Sequence, residues 1–367
     1  MSHHLATSRR VGVLGMGTYL PHSRRTNHDV APAAGVAPDW ITERTGVHTR
    51  HVAAEGEAAS DMAAAAVRAA VAAAGIDIDQ LSVLVLATST PDELGPSTAC
   101  RVQALTGAHN AVALDVSAAC SGWLFATRVA HDWLRGDHST RYAAVVGVEA
   151  YSKFIDPTDR GTAVLFADGA AAAVLGPVTG DGGFDDFRLG SDGSGAHHVL
   201  IPAGGSRVPA SASTLDNHQH QIRMDGRAVR DFITEIFPKV VYESLARNGL
   251  GLDDIDAFIT HQPNPILLRG IAEDIGIPSE RLVIVGDEVG NIGAASVPYA
   301  LAGAAARGLL SPGSRVLIAA FGAGVTWGSG LLTWTGAPFI RIAPATDSLA
   351  TRPPTAPRAP ARQGSST

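Results

Sequence analysis

Short apolar runs alternate along this chain with longer, alanine-rich stretches whose polar residues recur at helical spacing. Such runs, bounded by turn residues, read as strands buried on both faces, and the longer stretches read as helices packed over them. In the first part of the chain strands are predicted at Val11 to Gly15, Val83 to Ala87, Ala111 to Leu114, Tyr142 to Val148 and Ala163 to Phe166. Helices are predicted at Ser60 to Ala74, Ser97 to Leu105 and Gly122 to Arg135. The second part repeats the plan, with strands at Phe184 to Leu189, Ala257 to Thr260 and Arg315 to Ala320. Its helices fall at Ala228 to Asn248, Pro265 to Ile275 and Ala294 to Arg307. In each part a strand is followed by a helix opening on small residues, at Cys120 and at Asn291-Ile292-Gly293-Ala294. An internal duplication explains the repetition: an α/β fold of two halves, 11–180 and 181–342, with a site between them at the carboxyl ends of strands. Residues 1–10 read as an N-terminal extension, and Gly190 to Gln221, rich in Gly, Ser, His and Pro, as a lid-like excursion. Residues 343–367 lack the apolar surface to order themselves and are expected to be disordered.

Composition narrows the class. With 46% hydrophobic and 17% charged residues in 367, the chain reads as a compact protein, and no run approaches the length of a membrane span. A formal charge of -7, without a Lys or Arg cluster, excludes a nucleic-acid footprint. Cys100 and Cys120 form neither a disulfide framework nor a zinc site, and His3-His4 is too short for a metal site, so no metal is expected. Two lone thiols and the absence of an apolar leader-like run in Met1 to Arg10 point to a reducing cytoplasm. The glycines of the first strand lack a third at dinucleotide spacing, and Pro21 interrupts the following helix start, which disfavours a nicotinamide dehydrogenase.

The chemistry lies in three residues. Cys120 follows Asp115-Val116-Ser117-Ala118-Ala119 and precedes Ser121-Gly122-Trp123, at the start of a helix whose dipole is expected to lower its pKa. A lone cysteine is more often a buried packing residue, His261 in Thr260-His261-Gln262-Pro263-Asn264 a structural imidazole, and Asn291 a cap. Their joint occurrence turns the argument. A thiolate can be acylated by a thioester, and the acyl group can leave to a carbanion released by decarboxylation of a malonyl group. Neutral His261 Nε2-H and the Asn291 amide can hold the enolate oxygen. The backbone N-H of Cys120 and that of Ala323, in Phe321-Gly322-Ala323-Gly324, can form the oxyanion hole for the acyl carbonyl.

From about residue 10 to residue 337 the chain resembles the thiolase superfamily, specifically β-ketoacyl-acyl carrier protein synthase III. The resemblance rests on Ala118-Ala119-Cys120-Ser121-Gly122, His261-Gln262-Pro263-Asn264, the segment Gly290 to Pro298 and the segment Phe321 to Gly328. It implies a five-layered αβαβα thiolase-like fold, a homodimer, and Cys120, His261 and Asn291 as the catalytic residues. It also implies an acyl-CoA donor, no cofactor beyond the coenzyme A thioester as substrate, and malonyl-acyl carrier protein or another acceptor. By the same resemblance Trp40, Arg44, Thr45, Arg160 and Asn264 belong to the coenzyme A entrance, and Phe166 and Phe321 to the acyl pocket. Gly95 stands where short-chain members carry a bulky aromatic that closes the pocket across the dimer, which implies a longer or branched acyl group.

Two departures concern the acceptor. Arg230 and Asp231 replace a usual Phe-Lys pair, and Ile266 a usual Arg, and both basic positions help some members dock an acidic carrier protein. The implied reaction is a decarboxylative Claisen condensation that primes or tailors a specialised pathway. The alternatives are transfer of the Cys120-bound acyl group to a hydroxyl or amine, and a non-catalytic thiolase-fold partner subunit.

Overall fold

The computed structural model describes residues 9–342, so the expected disordered tail and nearly all of the N-terminal extension lie outside the described residues. The first sheet takes Val11–Tyr19, Leu81–Ala87, Val112–Val116, Tyr142–Ala150 and Asp168–Pro177. The second takes Gly183–Ser191, Ala257–Thr260, Leu282–Val283, Arg315–Gly322 and Thr326–Thr333. In both, the first strand lies beside the last, which is followed by the fourth, the second and the third. The directions match as well: two antiparallel pairings, then two parallel ones. Identical order and direction in two sheets is the signature of a duplicated half. The strand Phe339–Ile342 then crosses back to pair in parallel with Val11–Tyr19, so the second half of the chain completes the edge of the first sheet.

Five layers follow from where the apolar faces go. The helices Gly122–Gly136 and Ser296–Ala306 share one core with residues of both sheets, with Trp123, Leu124, Ala300 and Leu301 fully buried. The helices Ala59–Ala74 and Thr98–Thr106 cover the other face of the first sheet, and Gly226–Asn248 and Pro265–Asp274 that of the second. Fully apolar strands need cover on both faces, and this sandwich supplies it. The glycines of the first strand have a packing reason: a Cβ at Gly17 would sit 2.3 Å from the Ala66 carbonyl oxygen, so their absence of side chain lets the helix Ala59–Ala74 lie close.

Three expectations change. Ala163 to Phe166 is not a strand but a run of turns begun by Asp159, whose Oδ1 accepts from Gly161 N-H, and Phe166 makes only an isolated bridge to Asn291. Its apolar residues are buried by packing on Ile41 and Val30 rather than in a sheet. The strand Asp168–Pro177 was not anticipated, because alanine and glycine have weak strand preference while the pairing partners on both sides decide its state. The stretch 190–221 is partly ordered by the short pairing of Val199–Leu200 with Arg223–Met224. It is pinned by reciprocal backbone hydrogen bonds between Asp192 and Val325, at 2.9 and 2.8 Å.

Candidate active site

A cleft of about 710 Å³ opens between the halves, and Cys120, His261, Asn291, Phe321 and Ala323 all line it. Cys120 lies in a 3₁₀ turn, Ala119–Ser121, that feeds the central helix Gly122–Gly136. Ala119 has φ of 47°, a left-handed conformation that costs an alanine about 1–2 kcal/mol, so the surrounding contacts hold the turn in place. Ser121 Oγ donates to the Ala118 carbonyl at 2.7 Å and meets Thr326 Oγ1 at 2.8 Å, while Thr326 also reaches the Ala118 and Ala323 carbonyls. These hydroxyls tie the cysteine turn to the loop after Gly322. A Cβ at Gly322 would lie 2.8 Å from Cys120 N, so this strand end approaches the turn as closely as main chains allow. The Ala323 N-H has no hydrogen-bond partner among the described residues and stands at the same wall of the cleft.

The expectation of a lowered thiol pKa fails. Burial pushes the Cys120 thiol up to about 12, with the nearby Glu149 carboxylate adding to the rise. The Tyr151 hydroxyl, 3.8 Å from Sγ, works in the opposite direction. Desolvation of a charge inside the protein outweighs a helix dipole that acts from one turn. Below its pKa a thiol gains about tenfold thiolate per pH unit, and the thiolate is the nucleophile. Alkylation of Cys120 by iodoacetamide is therefore expected to accelerate log-linearly from about pH 7 to about pH 10, with no plateau. A plateau below about pH 8 contradicts that placement of the thiol.

His261 and Asn291 come from the second half. His261 ends the strand Ala257–Thr260, its N-H bonded to the Ala319 carbonyl at 3.0 Å, and its ring packs edge-on against Phe321 at 5.6 Å. Burial brings its pKa down to about 3, so the imidazole is neutral at working pH. Ser296 Oγ lies 2.8 Å from both His261 Nδ1 and the Gly293 carbonyl oxygen. That hydroxyl has one proton: donated to the Gly293 carbonyl, it leaves Oγ to accept from Nδ1-H, and turned to Nδ1 instead, it makes Nε2 the N-H end of the ring, the form that donation into the cleft needs. Asn291 Oδ1 accepts from the Gly293 N-H at 2.9 Å, which leaves Nδ2 as the end facing the cleft. Its main chain is held on both sides by Leu165 and Ala167. The cleft gathers a half-buried thiol, an N-H without a partner among the described residues, a neutral imidazole and an amide.

At the mouth, the Arg160 guanidinium lies over the half-buried Trp40 ring at 5.9 Å, and Arg44 lines the same opening. Thr45 lines it too, but its hydroxyl is occupied within its own turn, donating to the Ile41 carbonyl and accepting from Val47 N-H. Asn264 caps the helix Pro265–Asp274 through Leu267 N-H and donates to the Arg44 carbonyl, which ties that helix to Pro38–Thr45. Among the described residues no group of three or more His, Cys, Asp or Glu is placed to hold a metal ion.

Models of 3-oxoacyl-[acyl-carrier-protein] synthase III match residues 114–193, and of its C-terminal part residues 245–334. The β-ketoacyl-[acyl-carrier-protein] synthase III of Caldanaerobacter subterraneus is 40% identical over 324 residues, covering 88% of this chain and 98% of that protein. The chain belongs to the 3-oxoacyl-[acyl-carrier-protein] synthase III family. Another relative, the acetoacetyl CoA synthase NphT7 of Streptomyces sp. strain CL190, is 41% identical over 332 residues, 89% of this chain and all of that one. The solved priming β-ketosynthase of a polyketide biosynthetic pathway superposes with a TM-score of 0.82 at 30% identity, covering 91% of this chain and 100% of that one.

Two features set this member of the synthase III family apart from the sequence reading. Gly95 does not reach the cleft: it is exposed, on the loop between Leu81–Ala87 and Thr98–Thr106, with nothing within 4 Å of a Cβ built on it. Any part it plays in the pocket requires a second copy of the chain. Tyr151, by contrast, was missed. It is 4% exposed, its ring packs edge-on against Phe166 at 4.8 Å, and its hydroxyl stands beside Sγ. Glu149 was missed with it, a fully buried carboxylate that burial raises to about 7 and that accepts from Ser89 N-H, Thr90 Oγ1 and Ala294 N-H. The available signal was a lone acid inside the apolar run Val145 to Ala150, since an unpaired charge is almost never buried without a role. Among the described residues no helix is long and apolar enough to cross a membrane.

Proposed function

We propose that the chain carries an acyl group from acyl-CoA on Cys120 and joins it to a malonyl thioester by decarboxylative Claisen condensation. The observation that carries this reading is one cleft lined at once by the Cys120 thiol, the Ala323 main chain, the neutral His261 imidazole and the Asn291 amide. In the first step Sγ bonds to the acyl carbon, the bond from that carbon to the coenzyme A sulfur breaks, and the proton leaving Cys120 ends on the released thiol. The N-H groups of Cys120 and Ala323 hold the carbonyl oxygen while it is tetrahedral. In the second step the malonyl carbon loses carbon dioxide and the electron pair passes toward its thioester oxygen. His261 Nε2-H and Asn291 Nδ2-H hold that oxygen. The carbanion then attacks the acyl carbon, and Cys120 leaves as thiolate to be reprotonated. A histidine that stays neutral suits donation, since it neither competes as a base nor adds charge.

Trp40 and the Arg160 and Arg44 guanidiniums form the entrance for the nucleotide of coenzyme A, a flat ring for adenine and cations for phosphates. Thr45 and Asn264 shape that entrance through their backbone ties. A homodimer is part of this reading, since Gly95 could border the cleft only through a contact with a second copy of the chain. The division into halves at 11–180 and 181–342 belongs to the same reading, the first bringing the nucleophile and the second the donors.

Tyr151 sets the acyl length. Its ring and hydroxyl fill the space beside Sγ against Phe166, which favours short acyl groups over the longer ones that Gly95 suggested. In Tyr151→Leu, acylation by longer acyl-CoAs relative to acetyl-CoA is expected to rise at least about tenfold, the scale on which a pocket discriminates methylenes. A panel of acyl-CoAs read by intact mass checks this, and an unchanged profile contradicts it. The same panel, followed by addition of malonyl thioester or of hydroxyl and amine acceptors, tests the reaction. Acyl groups that leave only to an alcohol or amine would refute condensation.

A further inference from the structure

We propose that the acceptor is malonyl-CoA itself, entering through the nucleotide mouth that the donor's coenzyme A has left, and not a carrier-protein thioester. The proposal rests on the condensation reading above and adds the class of acceptor.

A two-step transfer uses one cleft twice in each cycle. An acceptor bearing coenzyme A therefore meets the Trp40 ring and the Arg44 and Arg160 guanidiniums just as the donor does. A carrier thioester presents the same flexible arm without the adenine nucleotide. It must gain its affinity from the surface around the mouth, and for an acidic carrier that surface has to be cationic.

This rim is not. Arg230, which lines the cleft, is paired with Asp231 at 3.1 Å on the same exposed turn, and the exposed Arg227 of that turn stands near the Asp225 carboxylate. Arg269 is paired with Asp287 at 3.2 Å. Ile266, 47% exposed on the first turn of Pro265–Asp274, brings an apolar side chain to the opening. Of the segments that supply the mouth residues, 38–45, 156–161 and 265–274 each hold more carboxylates than arginines, and 222–235 holds as many of one as of the other. Two arginines set beside Trp40 in a surround that is acidic overall favour a small polyanion that reaches them over an acidic protein that docks across the whole rim.

The test uses the full chain, a donor acyl-CoA that loads Cys120, and either malonyl-CoA or the malonyl thioester of a holo acyl carrier protein. Carbon dioxide release and product mass are followed. The expected result is a kcat/KM for malonyl-CoA at least about tenfold above that for the carrier thioester. In Asp231→Lys, carrier-dependent condensation is expected to rise several-fold at low salt and to lose that gain at high salt, as screened surface charge does. A smaller ratio, or a preference for the carrier, overturns the proposal, and an unchanged carrier rate in Asp231→Lys overturns its basis in rim charge. Loaded Cys120 with no carbon dioxide from either acceptor overturns the condensation reading itself, and this inference with it.

Discussion

Cys120→Ala is expected to take up no acyl group from any acyl-CoA, while His261→Ala and Asn291→Ala are expected to load Cys120 and then stall. The division follows from which oxygen each group faces. In the proposed reaction the thiol and the N-H groups of the Cys120 turn and Ala323 serve the acyl carbonyl, whereas His261 and Asn291, which come from the second half of the chain, serve the acceptor. Removing one oxyanion donor typically costs about 10²–10³ in rate, so each of the two alanine variants should condense at least about a hundredfold more slowly. Ser296→Ala tests the same assignment at one remove. It deletes the hydroxyl 2.8 Å from Nδ1, and condensation should slow while loading is spared. Intact mass separates the outcomes: a His261→Ala enzyme that fails to load at all would move that residue to the first step.

Gly322→Ala is expected to slow loading about 10²–10³-fold, a loss equal to removing one oxyanion donor. An added Cβ would sit 2.8 Å from Cys120 N and 2.9 Å from Ser121 N, main-chain atoms that cannot rotate away. The end of the strand Arg315–Gly322 must retreat, and the Ala323 N-H retreats with it. Circular dichroism of the variant separates this from unfolding, because the displaced contact is local. Wild-type loading in a folded Gly322→Ala enzyme would place the acyl-oxygen donor elsewhere.

Much of this was legible from the chain. Strand ends followed by small residues marked Cys120 and Asn291, and His261 followed a short apolar strand, because buried parallel strands must deliver their carboxyl ends to a common edge. What was not legible depended on long-range proximity. The thiol was read from its own helix alone, and so its pKa was expected to fall. Glu149 and Tyr151, some thirty residues on, help to make it rise or shape its surroundings. Ser296 meets His261 only because the helix Ser296–Ala306 packs back beside the strand Ala257–Thr260 within the second half. The alanine-rich strand Asp168–Pro177 is fixed by neighbours on both sides and not by propensity. Thr45 and Asn264 line the cleft, yet their side chains serve the backbone there.

The central claim is that the acyl group on Cys120 leaves by carbon-carbon bond formation. It is tested most directly by loading the enzyme from acyl-CoA, removing excess donor, adding malonyl thioester and counting carbon dioxide against acyl-enzyme lost. The account predicts one carbon dioxide for each acyl group that leaves, with a β-ketoacyl thioester as the product. Loss of the acyl group as free acid without carbon dioxide, or its persistence on Cys120, would contradict it.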